Sequence, residues 1–257
     1  MSADSIETQN PKNSQEFQNI LDQELRSFVV PILIAPDLEL RPSEIHNATG
    51  LLLNLGDKKC LVTCYHVWEE LQHRNGKNSP GVLIALLNDG YGGAFRINRP
   101  TLLTKDEKLG LAKELDLVVI DFTGVEGISE KKCFPFGSES IHDAKQGDVV
   151  VTMGFPGMWR KSEKNFTRVK SGPLPFVVED VTQKSLIISE RNHRNQEVFS
   201  YLDAEPRVPE SKDSCGGLSG APAFYVNQKP FKIAGFIIER AFGILRLTRA
   251  SLVKELI

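Results

Sequence analysis

Ser219 lies in a short glycine-rich segment whose composition fits acyl-transfer chemistry. The segment reads Gly-Gly-Leu-Ser-Gly-Ala-Pro over residues 216–222 and directly precedes the apolar run 223–226. Glycines allow a tight backbone turn that aims N–H groups at one point, and such donors stabilise the oxyanion of a tetrahedral intermediate. A serine nucleophile also needs a base, and the base needs a group that orients it. The chain upstream of Ser219 has candidates for both.

His66 is the candidate base among the five histidines of the chain. It ends an apolar run that begins at Cys60, and residues 68–71 after it are predicted to form one helical turn. An imidazole held at the end of a rigid strand can act as a general base near neutral pH. A lone histidine after an apolar strand is more often a core residue, and the serine segment decides in favour of the base.

Two carboxylates flank a strongly apolar run and are candidates for the orienting acid. Asp116 and Asp121 are five residues apart, so on a regular strand they face opposite sides. Asp116 is expected to open the strand, where it can reach a histidine at the rim. Asp121 is expected to face solvent or start a turn. We favour Asp116, with a plain turn residue at the strand end as the alternative.

The elements that must position these residues are mostly short strands. Residues 1–14 are polar and predicted to be disordered, a helix is predicted from Ser14 as N-cap, and residues 251–257 are predicted to form a short closing helix. Ten β-rich runs separated by turn signals predict antiparallel barrels or sandwiches. These runs are 28–30, 50–53, 60–63, 82–86, 115–122, 149–152, 176–178, 185–188, 223–226 and 233–238.

Composition excludes several classes of partner. The 257 residues are 40% hydrophobic and 25% charged, with a formal net charge of -2, so neither nucleic acid nor membrane is an expected partner. The apolar run 28–35 is too short to span a membrane, and the polar N-terminus does not resemble a secretory signal. The four cysteines fit no zinc motif and are predicted to be thiols. We expect no cofactor, no metal, and a cytoplasmic protein.

The order His66, Asp116, Ser219 and the segments around these residues resemble the chymotrypsin/trypsin-like serine proteases. The likeness is to bacterial trypsin-like peptidase domains, including the HtrA-type branch without a PDZ module, and it covers roughly residues 45–250. It is carried by six segments in the family's order: Gly-Leu-Leu-Leu (50–53), Val-Thr-Cys-Tyr-His-Val (62–67), Leu-Asp-Leu-Val-Val-Ile (115–120), Gly-Asp-Val-Val-Val-Thr-Met-Gly-Phe-Pro (147–156), Gly-Leu-Ser-Gly-Ala-Pro (217–222) and Ile-Ala-Gly-Phe (233–236).

The resemblance implies an all-β fold of two antiparallel six-stranded β-barrels with a catalytic cleft between them. A helix and lead-in strand would occupy residues 15–44, the first barrel 45–135, and the second barrel with the C-terminal helix 136–257. Ser219 would be the nucleophile, His66 the general base and Asp116 its orienting acid. The backbone N–H groups of Gly217 and Ser219 would form the oxyanion hole.

Specificity and activation depend on residues near the serine. By resemblance, Asp213 and Gly235 are candidates for the primary specificity pocket, and a carboxylate there would bind a substrate Arg or Lys. The alternative is that Asp213 belongs to a charged loop. Leu218 replaces the aspartate that binds the freed N-terminus in trypsins, so trypsin-type activation is not expected.

The resemblance leaves three functional hypotheses. The first is an active endopeptidase that cleaves protein or peptide substrates, and the second is a catalytically silent fold that binds proteins. The third is a protease that an activating protein partner switches on, with the helix at residues 14–26 as a candidate docking element. Residues 156–175 are interpreted as a long loop that is regulatory or an ordinary surface loop.

Overall fold

The computed structural model describes residues 14–34, 46–74, 82–85, 94–97, 100–125, 133–155, 161–163, 166–168, 172–189, 217–241 and 244–257. Helix α1 (Ser14–Leu25) begins at the residue predicted as its N-cap, and a 3-10 turn (Arg26–Phe28) leads from it into the first strand. Leu21 and Leu25 are one helical turn apart and fully buried, so this face of α1 packs into the core.

Eight strands form one sheet in the N-terminal half, here called the N-terminal sheet. They are β1 (Val29–Ile34), β2 (His46–Asn54), β3 (Lys59–Thr63), β4 (Val82–Ala85), β5 (Ala94–Ile97), β6 (Thr101–Leu102), β7 (Val118–Asp121) and β8 (Phe134–Pro135). The strand order is β5-β4-β1-β2-β3-β7-β6, and β8 pairs in parallel with β2.

The N-terminal sheet differs from the closed six-stranded barrel expected from the sequence. In the described residues the edge strands β5 and β6 each pair with one neighbour, β4 and β7 respectively, and the ring does not close. Closure requires the two edge strands to pair with each other. Strand β6 has only two residues and both pair with β7, so its ladder is short.

Six strands of the C-terminal half form a closed barrel in the order β12-β13-β16-β15-β14-β9, here called the C-terminal barrel. This closed six-stranded barrel agrees with the expectation for the second half. Its strands are β9 (Val149–Gly154), β12 (Gly172–Val181), β13 (Ser185–Ser189), β14 (Pro222–Tyr225), β15 (Lys232–Ala241) and β16 (Ile244–Arg249). A 3-10 helix (Ala250–Leu256) ends the chain, where a short helix was predicted.

The segment interpreted as a loop over residues 156–175 contains regular structure. Strands β10 (Lys161–Glu163) and β11 (Phe166–Arg168) form an antiparallel pair, and β12 starts at Gly172. Each of these strands has only three residues, which is too few for an alternating pattern to predict a strand from the sequence.

Two helices replace parts of the predicted strands. Helix α2 (Tyr65–Arg74) is longer than the single predicted turn and includes His66, while helix α3 (Leu109–Leu115) precedes β7. A 3-10 turn (Asp106–Lys108) leads into α3, and another 3-10 turn spans Ser138–Ser140. Of the run 115–122 that was predicted as a strand, Leu115 instead ends α3, where it is buried together with Ala112 at helical spacing.

One of the two hydrophobic clusters spans both halves, and the other lies within the C-terminal barrel. Buried side chains of β2, β3 and β7 form a cluster with Phe224, Ile233 and Phe236 of the C-terminal barrel. The hydroxyl of Thr248 on β16 also donates to the carbonyl of Leu115 at 2.6 Å. These contacts hold the ends of β3 and β7 against the barrel, where the candidate site lies.

None of Cys60, Cys64 and Cys133 forms a disulfide, in agreement with the predicted thiols, while Cys215 lies outside the described residues. No helix in the described part of the chain has both the length and the apolar character to cross a membrane.

Candidate active site

His66 is the second residue of α2 and lies three residues after the end of β3 at Thr63. Asp116 is the C-cap residue of α3, with φ 49 and ψ 41 in the left-handed region. Aspartate tolerates this conformation better than most residues with a Cβ. The sequence analysis placed His66 at a strand end and Asp116 at a strand start. Both instead occupy helix termini, and the backbone N–H of Tyr65 donates to the Asp116 carbonyl at 3.2 Å.

The Asp116 carboxylate binds His66 at two points. Its Oδ2 atom lies 2.7 Å from His66 Nδ1, and its Oδ1 atom accepts the backbone N–H of His66 at 2.9 Å. A carboxylate held at both oxygens cannot rotate, so it keeps the proton on Nδ1 and leaves the Nε2 lone pair as an acceptor. The imidazole side chain is 49% exposed and the carboxylate 23% exposed. Asp116 therefore fixes the orientation of a histidine ring that remains accessible to solvent.

The thiol of Cys64 lies beneath this pair. It donates to the carbonyl of Ile237 on β15 at 3.2 Å, and its side chain is fully buried. Burial, and then the negative charge of Asp116, raise the pKa of the Cys64 thiol well above its ordinary value, although the backbone N–H of Gly220 opposes the shift. The thiol is therefore protonated at neutral pH and is not a candidate nucleophile.

Cys64, His66 and Asp116 also form the group of described residues that could hold a metal ion. Their ligand atoms all lie within 4.8 Å of one another. A metal would require the Cys64 thiolate, and it would have to replace the hydrogen bonds that Asp116 already makes to His66. These hydrogen bonds favour an orienting carboxylate at this position over a metal ligand.

Ser219 lies in a turn between Gly217 and Ala221, where Ala221 N–H donates to the Leu218 carbonyl at 2.8 Å. Gly220, with φ +84, donates its N–H to the Ile237 carbonyl at 2.8 Å. A Cβ at Gly220 would lie 2.2 Å from the carbonyl oxygen of Thr49, so only glycine fits the turn where it meets the N-terminal sheet.

Thr49 on β2 contacts the serine turn directly, and the sequence analysis did not identify it. Its N–H donates to the Ser219 carbonyl at 2.9 Å, and its hydroxyl donates to the Gly217 carbonyl at 2.5 Å. The same hydroxyl oxygen accepts the N–H of Phe155 at 3.1 Å. A threonine within a strand carries no sequence signal for such a role, because its partners are more than 100 residues away in the chain.

His66 and Ser219 line the same cleft, although they come from different halves of the chain. The cleft has a volume of about 180 Å³. The other described residues that line it are Leu218, Ile237, Ile238, Glu239, Arg240 and Leu245. Glu239 also forms an ion pair with Arg246 on β16 at 3.0 Å. The cleft thus places an oriented imidazole and a serine on one mostly apolar surface.

Two solved structures resemble this chain over most of its length. One is the thermostable serine protease AL20 from an extremophilic microorganism, at 13% sequence identity and a TM-score of 0.51, covering 89% of this chain and 94% of that chain. The other is the protease Anisep from Arthrobacter nicotinovorans, at 10% identity and a TM-score of 0.54, covering 90% of this chain and 93% of that chain. The fold is chymotrypsin-like.

The similarity to these two proteases establishes the chymotrypsin-like fold and nothing more specific. No protein-family model and no curated protein matches the chain, so the HtrA-type branch has no support. At identities of 10% and 13%, the two likenesses show the fold alone.

The described cleft wall includes neither Gly235 nor Asp121. Asp213 lies outside the described residues. Gly235 sits in β15, where a Cβ would lie 2.7 Å from the Thr248 carbonyl, and it is not among the described residues that line the cleft. Asp121 ends β7, and its carboxylate accepts the N–H of Thr123 at 2.8 Å. Of the two candidate acids, Asp116 is therefore the one that contacts His66.

His142 and Asp148 form a second histidine–aspartate pair, which can be compared with the pair of His66 and Asp116. His142 Nε2 lies 2.7 Å from Asp148 Oδ2, and its ring stacks on Tyr225 at a centroid distance of 3.7 Å. The same Asp148 oxygen accepts the N–H of Lys145 at 2.8 Å. Neither member of this pair lines the described cleft with Ser219, so the pair is interpreted as a structural contact.

Proposed function

We propose that this chain is a serine endopeptidase in which Ser219 is the nucleophile, His66 the general base and Asp116 the orienting carboxylate. One observation carries the proposal. The Asp116 carboxylate holds His66 at both the ring nitrogen and the backbone N–H, and His66 lines one cleft with Ser219. The chymotrypsin-like fold and the two proteases that share it support the same reaction class.

The chemistry follows from the roles of these three side chains. Ser219 Oγ would attack the carbonyl carbon of the scissile peptide bond while His66 Nε2 takes the hydroxyl proton. Collapse of the tetrahedral intermediate would break the C–N bond, with the proton passing from His66 to the leaving amine. A water molecule, deprotonated by His66, would then hydrolyse the acyl-enzyme ester and restore Ser219. Asp116 would stabilise the imidazolium formed in both steps.

The Ser219 peptide group has an orientation suited to an oxyanion donor. The Leu218 carbonyl accepts the Ala221 N–H inside the turn. A trans peptide directs its C=O and N–H in opposite directions, so the Ser219 N–H is directed away from the turn interior. We propose this N–H as one donor of the oxyanion hole and the Gly217 N–H as the other. The peptide of the second donor begins at Gly216, which lies outside the described residues.

The substrate class is a protein or peptide. A preference for Arg or Lys before the scissile bond is a prediction from Asp213. The described wall of the cleft contains apolar residues together with Arg240 and Glu239. Activation by a protein partner is an alternative hypothesis from the sequence, and a cytoplasmic location is a prediction from the sequence.

A fluorophosphonate probe tests the proposal, because it bonds covalently to an activated serine. We expect the wild-type chain to be labelled and Ser219→Ala not to be labelled. Ser185→Ala is the matched control, since Ser185 Oγ pairs with Thr182 in a turn of the C-terminal barrel. Labelled peptides identified by mass spectrometry should contain Ser219. Absence of labelling in a folded wild type under any condition, including after proteolysis or with an added partner, would favour the silent protein-binding module instead.

A further inference from the structure

The conformation of the serine turn is held by the chain itself. Leu218 stands where trypsins have the aspartate that binds a freed N-terminus, so something else must order this turn. In trypsins the aspartate and the freed N-terminus form an ion pair. Here two other contacts hold the turn: a buried hydroxyl on the N-terminal sheet and an apolar side chain within the C-terminal barrel.

Thr49 provides the first contact. It is fully buried, and its N–H and hydroxyl bind the carbonyls on either side of Leu218, those of Ser219 and Gly217. Because peptide groups are planar, fixing these two carbonyls restricts the backbone between them, which includes the Ser219 N–H. The carbonyl of Thr49 in turn accepts the hydroxyl of Thr63 on β3 at 2.9 Å, so the contact is braced from a second strand.

Leu218 provides the second contact. Its side chain is 2% exposed and belongs to the apolar cluster inside the C-terminal barrel. A Cβ on Gly154 would lie 2.8 Å from Leu218 Cδ2 and 3.2 Å from the Thr49 hydroxyl oxygen. The leucine therefore packs directly on the backbone at the end of β9, beside the Thr49 hydroxyl. An apolar contact of this kind needs no charged terminus.

We infer that Thr49 is a positioning residue whose buried hydroxyl, together with Leu218, orders residues 217–219 for catalysis without precursor cleavage or an activating partner. The inference rests on the proposed function. The Thr49 hydroxyl joins three segments, because it also accepts the N–H of Phe155 just after β9. Removing it would loosen the serine turn relative to both halves of the chain.

Thr49→Val tests the inference, since valine keeps the shape and removes the hydroxyl. We expect kcat/KM for a peptide ester and the rate of fluorophosphonate labelling to fall about 10- to 100-fold, as expected for losing buried hydrogen bonds. Thr49→Ser keeps the hydroxyl and should remain within about 3-fold of wild type. The matched control is Thr152→Val, which removes another fully buried hydroxyl, one that donates to the Leu174 carbonyl at 3.3 Å.

Two further measurements separate positioning from general destabilisation. Affinity for a peptide aldehyde, which forms a tetrahedral adduct, should fall in parallel with kcat/KM in Thr49→Val, while KM stays within about 3-fold. Amide hydrogen exchange over residues 217–221 should rise in Thr49→Val and not in Thr152→Val. If Thr49→Val does not fold, Thr49→Ala compared with Thr49→Ser makes the same test.

The outcomes distinguish the inference from the proposed function. A folded wild type that is not labelled under any condition overturns the proposed function. A wild type that reacts only after proteolysis or with an added partner overturns the inference of an intrinsically ordered turn. A reactive wild type with an equally reactive Thr49→Val overturns the role of Thr49 alone.

Discussion

Replacing Asp116 by asparagine tests the two-point contact to His66. The His66 backbone N–H requires an acceptor, so the amide oxygen of the asparagine should take the place of Oδ1. Its NH2 group then faces Nδ1, which lies 2.7 Å from Oδ2 in the wild type. Nδ1 must accept this N–H, and the ring proton moves to Nε2. The nitrogen that should take the proton of Ser219 then already carries one.

The expected loss combines two effects. An imidazolium and a carboxylate about 4 Å apart attract by about 4 kcal/mol at an effective dielectric constant of 20, and we halve this because His66 is 49% exposed. The wrong tautomer also forfeits a charge-assisted hydrogen bond, about 1.5–3 kcal/mol. The sum of about 3.5–5 kcal/mol corresponds to a loss of about 400- to 5,000-fold at 1.36 kcal/mol per factor of ten. Triads of this type lose about 10⁴-fold on the same change.

The assay compares rates of fluorophosphonate labelling and of peptide-ester turnover for wild type, Asp116→Asn and Asp121→Asn. Asp121 is the matched control, because it flanks the same apolar run and its carboxylate binds the Thr123 N–H. Thermal unfolding of each variant checks that the fold is retained. The reasoning is refuted if Asp116→Asn retains more than a tenth of the wild-type rate, or if Asp121→Asn loses as much.

Three further predictions concern stability and specificity. Gly220→Ala should lower the free energy of unfolding by more than about 3 kcal/mol, because a Cβ there meets a backbone oxygen at 2.2 Å in addition to the strain of a positive φ. Gly147→Ala, where a Cβ has open space, should lose only about 1–2 kcal/mol, and equal losses in urea unfolding would contradict the argument. Burial, and then the neighbouring Cys133 and Asp121, raise the pKa of the Cys60 thiol from 9.0 to about 12. Below pH 9 both states keep this proton, and between pH 9 and 12 only the folded state keeps it, so stability should fall with rising pH by up to about 1.4 kcal/mol per unit. Cys60→Ala should flatten that slope, and an unchanged slope would be evidence against the shift. Asp213→Asn should reduce cleavage after Arg or Lys at least about 10-fold in a peptide library, whereas an apolar preference in the wild type would exclude basic specificity.

Local pattern predicted the C-terminal barrel better than the N-terminal sheet. Strand β9 is buried at every position and begins with three consecutive valines, which is a strong strand signal. The run 115–122 carries a similar signal, although its first residue ends helix α3 and only residues 118–121 form β7. Short apolar runs do not distinguish strand from helix at their ends, and here Leu115 is buried on the face of α3 beside Ala112, so the strand starts later.

The sequence by itself determined which residue types are available for chemistry and their order along the chain. His66, Asp116 and Ser219 were identifiable because glycines around a serine, a histidine after an apolar run and a carboxylate beside another run are local signals. Only the tertiary structure decided that Asp116 and not Asp121 contacts His66, because the left-handed turn after α3 directs that carboxylate. It also revealed Thr49, whose partners lie 168 and 106 residues along the chain. Hydrogen bonds over such separations depend on how the two halves pack, and no local sequence pattern records that packing.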